Sequence, residues 1–172
     1  MRLFIALNFN DSTRSGLLAL RDRLRAGARR GNYSHDANLH LTLAFLGECD
    51  EVQTAAVKSI MDALHFEPPE VTIERVGRFR RDGGDIWWAG VRKTRPLLDL
   101  QGAITELLNA AGFTLDRRDY NPHITLGREV ATTAPPWEIT PFGETVNCVD
   151  LMKSERVGGK LTYTAIYKKY AG

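Results

Sequence analysis

Two short strings in this chain carry the residue types that move protons and hold anions: His40-Leu41-Thr42-Leu43 and His123-Ile124-Thr125-Leu126. On a β-strand successive side chains alternate faces, so residues two apart point the same way. His40 and Thr42 then share one face, while Leu39, Leu41, Leu43 and Phe45 line the opposite, core face. His123 and Thr125 repeat the pattern against Ile124 and Leu126. Each string thus delivers one imidazole and one hydroxyl to a common surface. Two such surfaces facing each other supply what phosphodiester ring opening needs: a base for water, an acid for the leaving oxygen, and donors for the non-bridging oxygens. Histidine titrates near neutral pH, so a neutral and a protonated copy can coexist.

The elements that must position these residues can be read from the apolar pattern. Residues 2–8 and Leu39–Phe45 read as strands, with a helix over 12–27 between them, capped by Asp11 or Ser12, that lines up Leu17, Leu20 and Leu24. Asp50 caps a second helix, with Gln53 placed for a capping box and Val52, Ala56, Ile60 and Leu64 as its inner face. Val71–Phe79 and Ile86–Val91 form a hairpin through Arg81-Asp82-Gly83-Gly84-Asp85. A third helix opens near Pro96, carries Leu97, Leu100, Ile104, Leu107 and Leu108 as its stripe, and ends at Ala111 before Gly112. His123–Leu126 is a short strand, Ala134-Pro135-Pro136 a loop, and two last strands fall near 145–153 and 161–168. Strand, helix and H-x-T string recur in the same order and at nearly the same spacing in both halves. This points to a duplication whose lobes meet at a shared cleft.

Composition bounds the rest. With 172 residues, 43% hydrophobic and 26% charged, the chain suits one domain with a real core, here expected to have two pseudo-symmetric lobes. The apolar run Leu3–Leu7 is too short for a signal peptide or membrane span. Cys49 and Cys148 fit neither a disulfide framework nor a metal-type spacing, which leads us to expect a reduced, cytoplasmic protein. The net charge of +2 conceals arginine clusters: Arg2, Arg14, Arg21, Arg23, Arg25, Arg29 and Arg30; Arg75, Arg78, Arg80 and Arg81; and Arg117 with Arg118. Any of these could grip a phosphate backbone, and any could equally be a solvated face. His35 and His65 read as ordinary structural histidines. No carboxylate or cysteine cluster accompanies the others, so no metal is expected.

The extended strings Asn38-Leu39-His40-Leu41-Thr42-Leu43-Ala44-Phe45-Leu46-Gly47-Glu48 and Pro122-His123-Ile124-Thr125-Leu126-Gly127-Arg128 resemble the paired signatures of the 2H phosphoesterase superfamily. Within it the chain is similar to the bacterial and archaeal RNA 2′,3′-cyclic phosphodiesterases, also called 2′-5′ RNA ligases. Arg2-Leu3-Phe4-Ile5-Ala6 fits the first strand of that family, and Ser154, Gly158-Gly159 and Tyr163 fit its C-terminal pattern. The resemblance implies an α/β (α+β) fold of two lobes, with antiparallel sheets forming a central cleft and helices outside. It implies hydrolysis of an RNA or nucleotide 2′,3′-cyclic phosphate to a 2′-phosphate, with reversible 2′-5′ ligation as the related reaction, and no cofactor. His40 would be the acid and His123 the base, with Thr42, Thr125 and Arg128 on the phosphate. Strand alternation alone would aim Arg128 away from His123, so Gly127 must let the chain bend. By position, Phe9 and Tyr120 are candidates for stacking under a base. A monomer acting on RNA ends or nucleotides, away from membranes, is expected. Two other readings stay open: a phosphate-recognising RNA-binding module without turnover, and an enzyme for a small cyclic-phosphate metabolite.

Overall fold

A computed structural model describes residues 1–116 and 118–172. In order the elements are β1 (Arg2–Leu7), α1 (Asp11–Ala26), β2 (Ala28–Tyr33), β3 (Leu41–Glu48), α2 (Glu51–Ala63), β4 (Glu70–Phe79), β5 (Asp85–Val91), α3 (Arg95–Ala110), β6 (His123–Thr132), β7 (Trp137–Thr145), β8 (Cys148–Val157) and β9 (Lys160–Tyr170). The strands form two antiparallel sheets, one ordered β3-β1-β8-β9 and the other β2-β6-β5-β4-β7. Thus β1 pairs with β3, and β5 pairs with β6, as the two halves of the sequence require.

The helices cross over. α1 follows a strand of the first sheet but packs on β2, β6 and β7 of the second, whereas α3 follows β5 of the second sheet and packs on β3 of the first as well as on β4 of the second. Each half therefore covers part of the other, and one continuous core joins them. That core takes Leu3, Ile5 and Leu7 from β1, Leu41 and Leu43 from β3, Trp87 and Ala89 from β5, and Ile124 and Leu126 from β6. The opposite face of the first sheet carries a smaller cluster of Phe4, Ala6 and Met152 with Tyr163 beside it. The two motif strands, β3 and β6, touch where the sheets meet.

Local chemistry accounts for most boundaries and for the departures from expectation. The first helix is capped by Asn10, whose side chain accepts from the Thr13 amide, and not by Asp11 or Ser12. Asp50 and Gln53 do form the expected reciprocal capping box. α2, however, turns Thr54, Val57, Met61 and Leu64 inward and leaves Val52 exposed. Leucine at 64 and methionine at 61 set the buried stripe one position round from the expected one. Two strands have no counterpart in the apolar pattern. β2 reads Ala-Arg-Arg-Gly-Asn-Tyr and is an edge with no apolar alternation. β7 contains Pro141, which an edge strand tolerates. Arg117 of the third arginine cluster lies outside the described residues. No helix among the described residues is long and apolar enough to cross a membrane.

Candidate active site

The alternation expected of the H-x-T strands holds for three residues and then breaks, in the same way in both. In β3, Leu41 and Leu43 are buried while Thr42, and His40 just ahead of the strand, are half-buried. The β1–β3 pairing then slips: Ala6 faces Thr42 but Ile5 faces Ala44. This bulge puts Leu43 and Ala44 both inward and turns Phe45 outward. In β6, Trp88 faces Thr125 but Trp87 faces Gly127, so Leu126 and Gly127 are both buried and Arg128 emerges. The bulge corrects two expectations. Phe45 is not a core residue; it is 64% exposed, with its ring 6.0 Å from Phe4 on the face of His40. The bend that returns Arg128 to the face of His123 comes from the extra residue in the ladder. Gly127 matters for closeness instead, because a Cβ there would meet the Tyr33 ring at 3.0 Å. The left-handed residue that follows is Glu129, with φ 53°.

Both imidazoles are held alike. The Nδ1 of His40 lies 2.7 Å from the Asn38 carbonyl oxygen, and the Nδ1 of His123 lies 2.7 Å from that of Asn121. A carbonyl only accepts, so in each ring Nδ1 carries the proton and Nε2 offers the lone pair. The Thr42 hydroxyl stands 2.9 Å from Nε2 of His40 and donates to it when that ring is neutral. Each ring also sits in an aromatic setting. Phe4 and Tyr163 pack against His40 at 4.8 and 5.2 Å between centroids, and Phe79 and Trp88 against His123 at 5.2 and 6.3 Å. Burial in these settings pushes both histidines below their ordinary range, against the opposing effect of the Nδ1–H bonds. The positive field of Arg128 lowers both, and His123 lowers His40 further. The two histidines and Arg128 are thus electrostatic neighbours although they come from different sheets. The Tyr163 hydroxyl, raised by burial, also feels Arg128 and Arg2.

Struts tie the two motifs together. The Tyr120 hydroxyl donates to the Thr42 carbonyl oxygen at 2.9 Å, and the Ser34 hydroxyl donates to that of Thr125 at 2.9 Å. Tyr120 therefore works as a brace between motifs, with burial pushing its hydroxyl pKa up. Phe9, 6% exposed, is a core residue. Neither ring is set out as an open stacking face; Phe45 is. Its signal was present at the fifth position after His40, where the second half has Arg128, but strict alternation hid it. A hollow of about 1110 Å³ beside α3, lined among others by Phe113, Leu115, Asp116 and Arg118, includes no histidine among its described lining residues.

A sequence profile of the 2′-5′ RNA ligase superfamily matches residues 11–150. The chain belongs to this family. Among curated proteins, it is 32% identical to the RNA 2′,3′-cyclic phosphodiesterase of Archaeoglobus fulgidus over 84% of this chain and 85% of that one. It is 29% identical to the enzyme of the same name from Thermotoga maritima, over 74% and 70%. Escherichia coli LigT bound to NADP+ superposes with a TM-score of 0.81 at 26% identity, over 99% of this chain and 96% of that one. The 3′-AMP complex of LigT gives a TM-score of 0.85 at 24% identity, over 99% and 97%, a likeness of fold. The α+β architecture with antiparallel sheets that the resemblance implied is present here, and LigT shares the fold.

Proposed function

We propose that the chain opens 2′,3′-cyclic phosphates at RNA ends or on nucleotides to 2′-phosphates, with His123 as base and His40 as acid. The observation that carries this reading is the pair of imidazoles, one from each sheet, each with Nδ1 fixed on a carbonyl, with Nε2 of His40 meeting the Thr42 hydroxyl and Nε2 of His123 without such a bond among the described residues. Water attacks phosphorus and gives its proton to Nε2 of His123. The bond from phosphorus to the 3′-oxygen breaks, and that oxygen takes the proton from Nε2 of His40. The product is a 2′-phosphate and a 3′-hydroxyl. Thr42, Thr125 and Arg128 hold the non-bridging oxygens as charge shifts onto them. A 5′-hydroxyl in place of water would form a 2′-5′ linkage by the same bond changes, which accounts for ligation as a companion reaction.

The lowered pKa of both rings suits this division when an anion arrives. Free His123 is neutral and ready to accept a proton, while a bound phosphate favours protonation of His40 and offsets Arg128. Phe45 supplies a stacking face that accepts any base, which fits the ends of many RNAs. The two halves, alike in strand order, histidine setting and bulge, form one domain built by duplication. The names of the relatives support the RNA substrate class. The test is incubation with an RNA ending in a 2′,3′-cyclic phosphate. Consumption of the cyclic end supports an enzyme; tight binding with no turnover would make the protein a recognition module, and turnover confined to mononucleotides would make it a metabolite enzyme.

A further inference from the structure

On the second sheet, the row that crosses β6, β5 and β4 at the level of the second motif runs His123, Gly90, Arg75. All three face the surface that carries Thr125 and Trp88. Neighbouring strands lie about 4.8 Å apart, so the Arg75 backbone stands roughly 10 Å from that of His123. The side chain shortens this gap. A Cβ at Gly90 would meet Cγ of Arg75 at 2.9 Å and its Nε at 3.1 Å. The arginine therefore lies across the middle strand toward β6, over ground that only glycine leaves open. Its guanidinium rests 5.5 Å from the centre of the Trp88 ring, a cation–π contact that fixes its place without neutralising it.

Among the described residues Arg75 makes no salt bridge, although Glu138 lies opposite it on β7. Arg14, Arg21, Arg78, Arg92, Arg95 and Arg118 each have a carboxylate partner. Its neighbour in sequence, Glu74, pairs with Arg92. Arg78, from the same cluster, is turned to the opposite face against Trp87 and Asp85. An exposed, oriented guanidinium that reaches across Gly90 on the face of His123 suits a second anion, with Arg128 assigned to the reacting phosphate. In a nucleic-acid strand the next anion is the backbone phosphodiester.

We infer that Arg75, laid across Gly90 on the face of His123, binds the phosphodiester linking the terminal nucleotide to the rest of the strand. This rests on the proposed function and goes beyond it by separating strand from mononucleotide. The test compares kcat/KM on a nucleoside 2′,3′-cyclic phosphate with that on a dinucleotide ending in the same group, for wild type, Arg75→Ala and Arg75→Lys. A charge-assisted contact predicts that Arg75→Ala loses about ten- to 150-fold more on the dinucleotide than on the mononucleotide, and that Arg75→Lys recovers only part of it. The wild-type preference for the dinucleotide should shrink as salt rises, and more steeply than in Arg75→Ala. Unchanged thermal melting serves as the folding control, since the side chain is exposed. Equal losses on the two substrates, or none on either, would overturn this inference while leaving the proposed function intact. Failure of the wild type to open either substrate would overturn both.

Discussion

β3 and β6 follow one plan and differ at two places. Both present histidine and threonine on one face, both bulge immediately after, and both turn the fifth residue past the histidine back to that face. In β3 that residue is Phe45; in β6 it is Arg128. In β3 the threonine hydroxyl meets the imidazole Nε2; among the described residues no such bond forms in β6. A shared backbone can thus carry unequal tasks. The first strand offers a ring for a base and a hydroxyl that steadies its imidazole. The second offers a cation for phosphate and leaves its imidazole nitrogen free for a proton. The difference lies in side chains at matched positions, which makes it testable position by position.

The largest effect should come from the residues the strands have in common. His40→Ala or His123→Ala should each lower turnover by about 10²–10⁴, since each removes one proton transfer. The double variant should lose little more than either alone, because a base without its acid completes little of the reaction. Multiplicative losses in steady-state assays would break the pairing of the strands into one site. Arg128→Ala should cut kcat/KM about ten- to 150-fold, the worth of a charge-assisted hydrogen bond, with incomplete rescue by lysine. It should also move the pH profile. Both histidines sit below the ordinary value of about 6.5, so the kcat/KM bell should centre on the acid side of it. Removing the positive charge of Arg128 raises both pKa values and should shift the bell toward higher pH. A pH profile indifferent to Arg128→Ala would separate that residue from the histidines.

Phe45→Ala should act more gently, raising KM for nucleotides with little change in kcat and little loss of stability, since the ring is already in solvent. The same change at Phe9 should destabilise the fold, because that ring is in the core. The smallest effect concerns stability. Each histidine has a folded pKa below its unfolded one, so the unfolded chain binds more protons in acid. Stability should hold above about pH 6.5 and fall as pH drops through that value. Denaturant titrations should show this fall flattened in His40→Ala.

The sequence made the motifs legible because their function demands fixed spacing: an H-x-T string on a strand leaves few other readings, and the caps at Asp50 and Pro96 mark where helices start. What stayed hidden depends on partners distant in sequence. A bulge is a mismatch between two strands, so neither Phe45 nor Arg128 could be given its face from its own strand. β2 and β7 are edges, whose pairing on one side needs no apolar alternation. Tyr120 looked like a stacking ring by its nearness to His123, but its hydroxyl finds the Thr42 carbonyl across the molecule. The arginine clusters could not be sorted from sequence, because pairing decides which are spoken for: Arg78 is held by Asp85, and its near neighbour Arg75 lies over Gly90.

The central claim is that two imidazoles on the two strands work on opposite bonds of one cyclic phosphate. Product analysis tests it most directly, using an RNA ending in 2′,3′-cyclic phosphate in isotopically labelled water with the wild type, His40→Ala and His123→Ala. The account predicts a 2′-phosphate that carries one water-derived oxygen, with a free 3′-hydroxyl, formed by the wild type and nearly abolished in both variants. A 3′-phosphate product, or wild-type turnover in either variant, would contradict it.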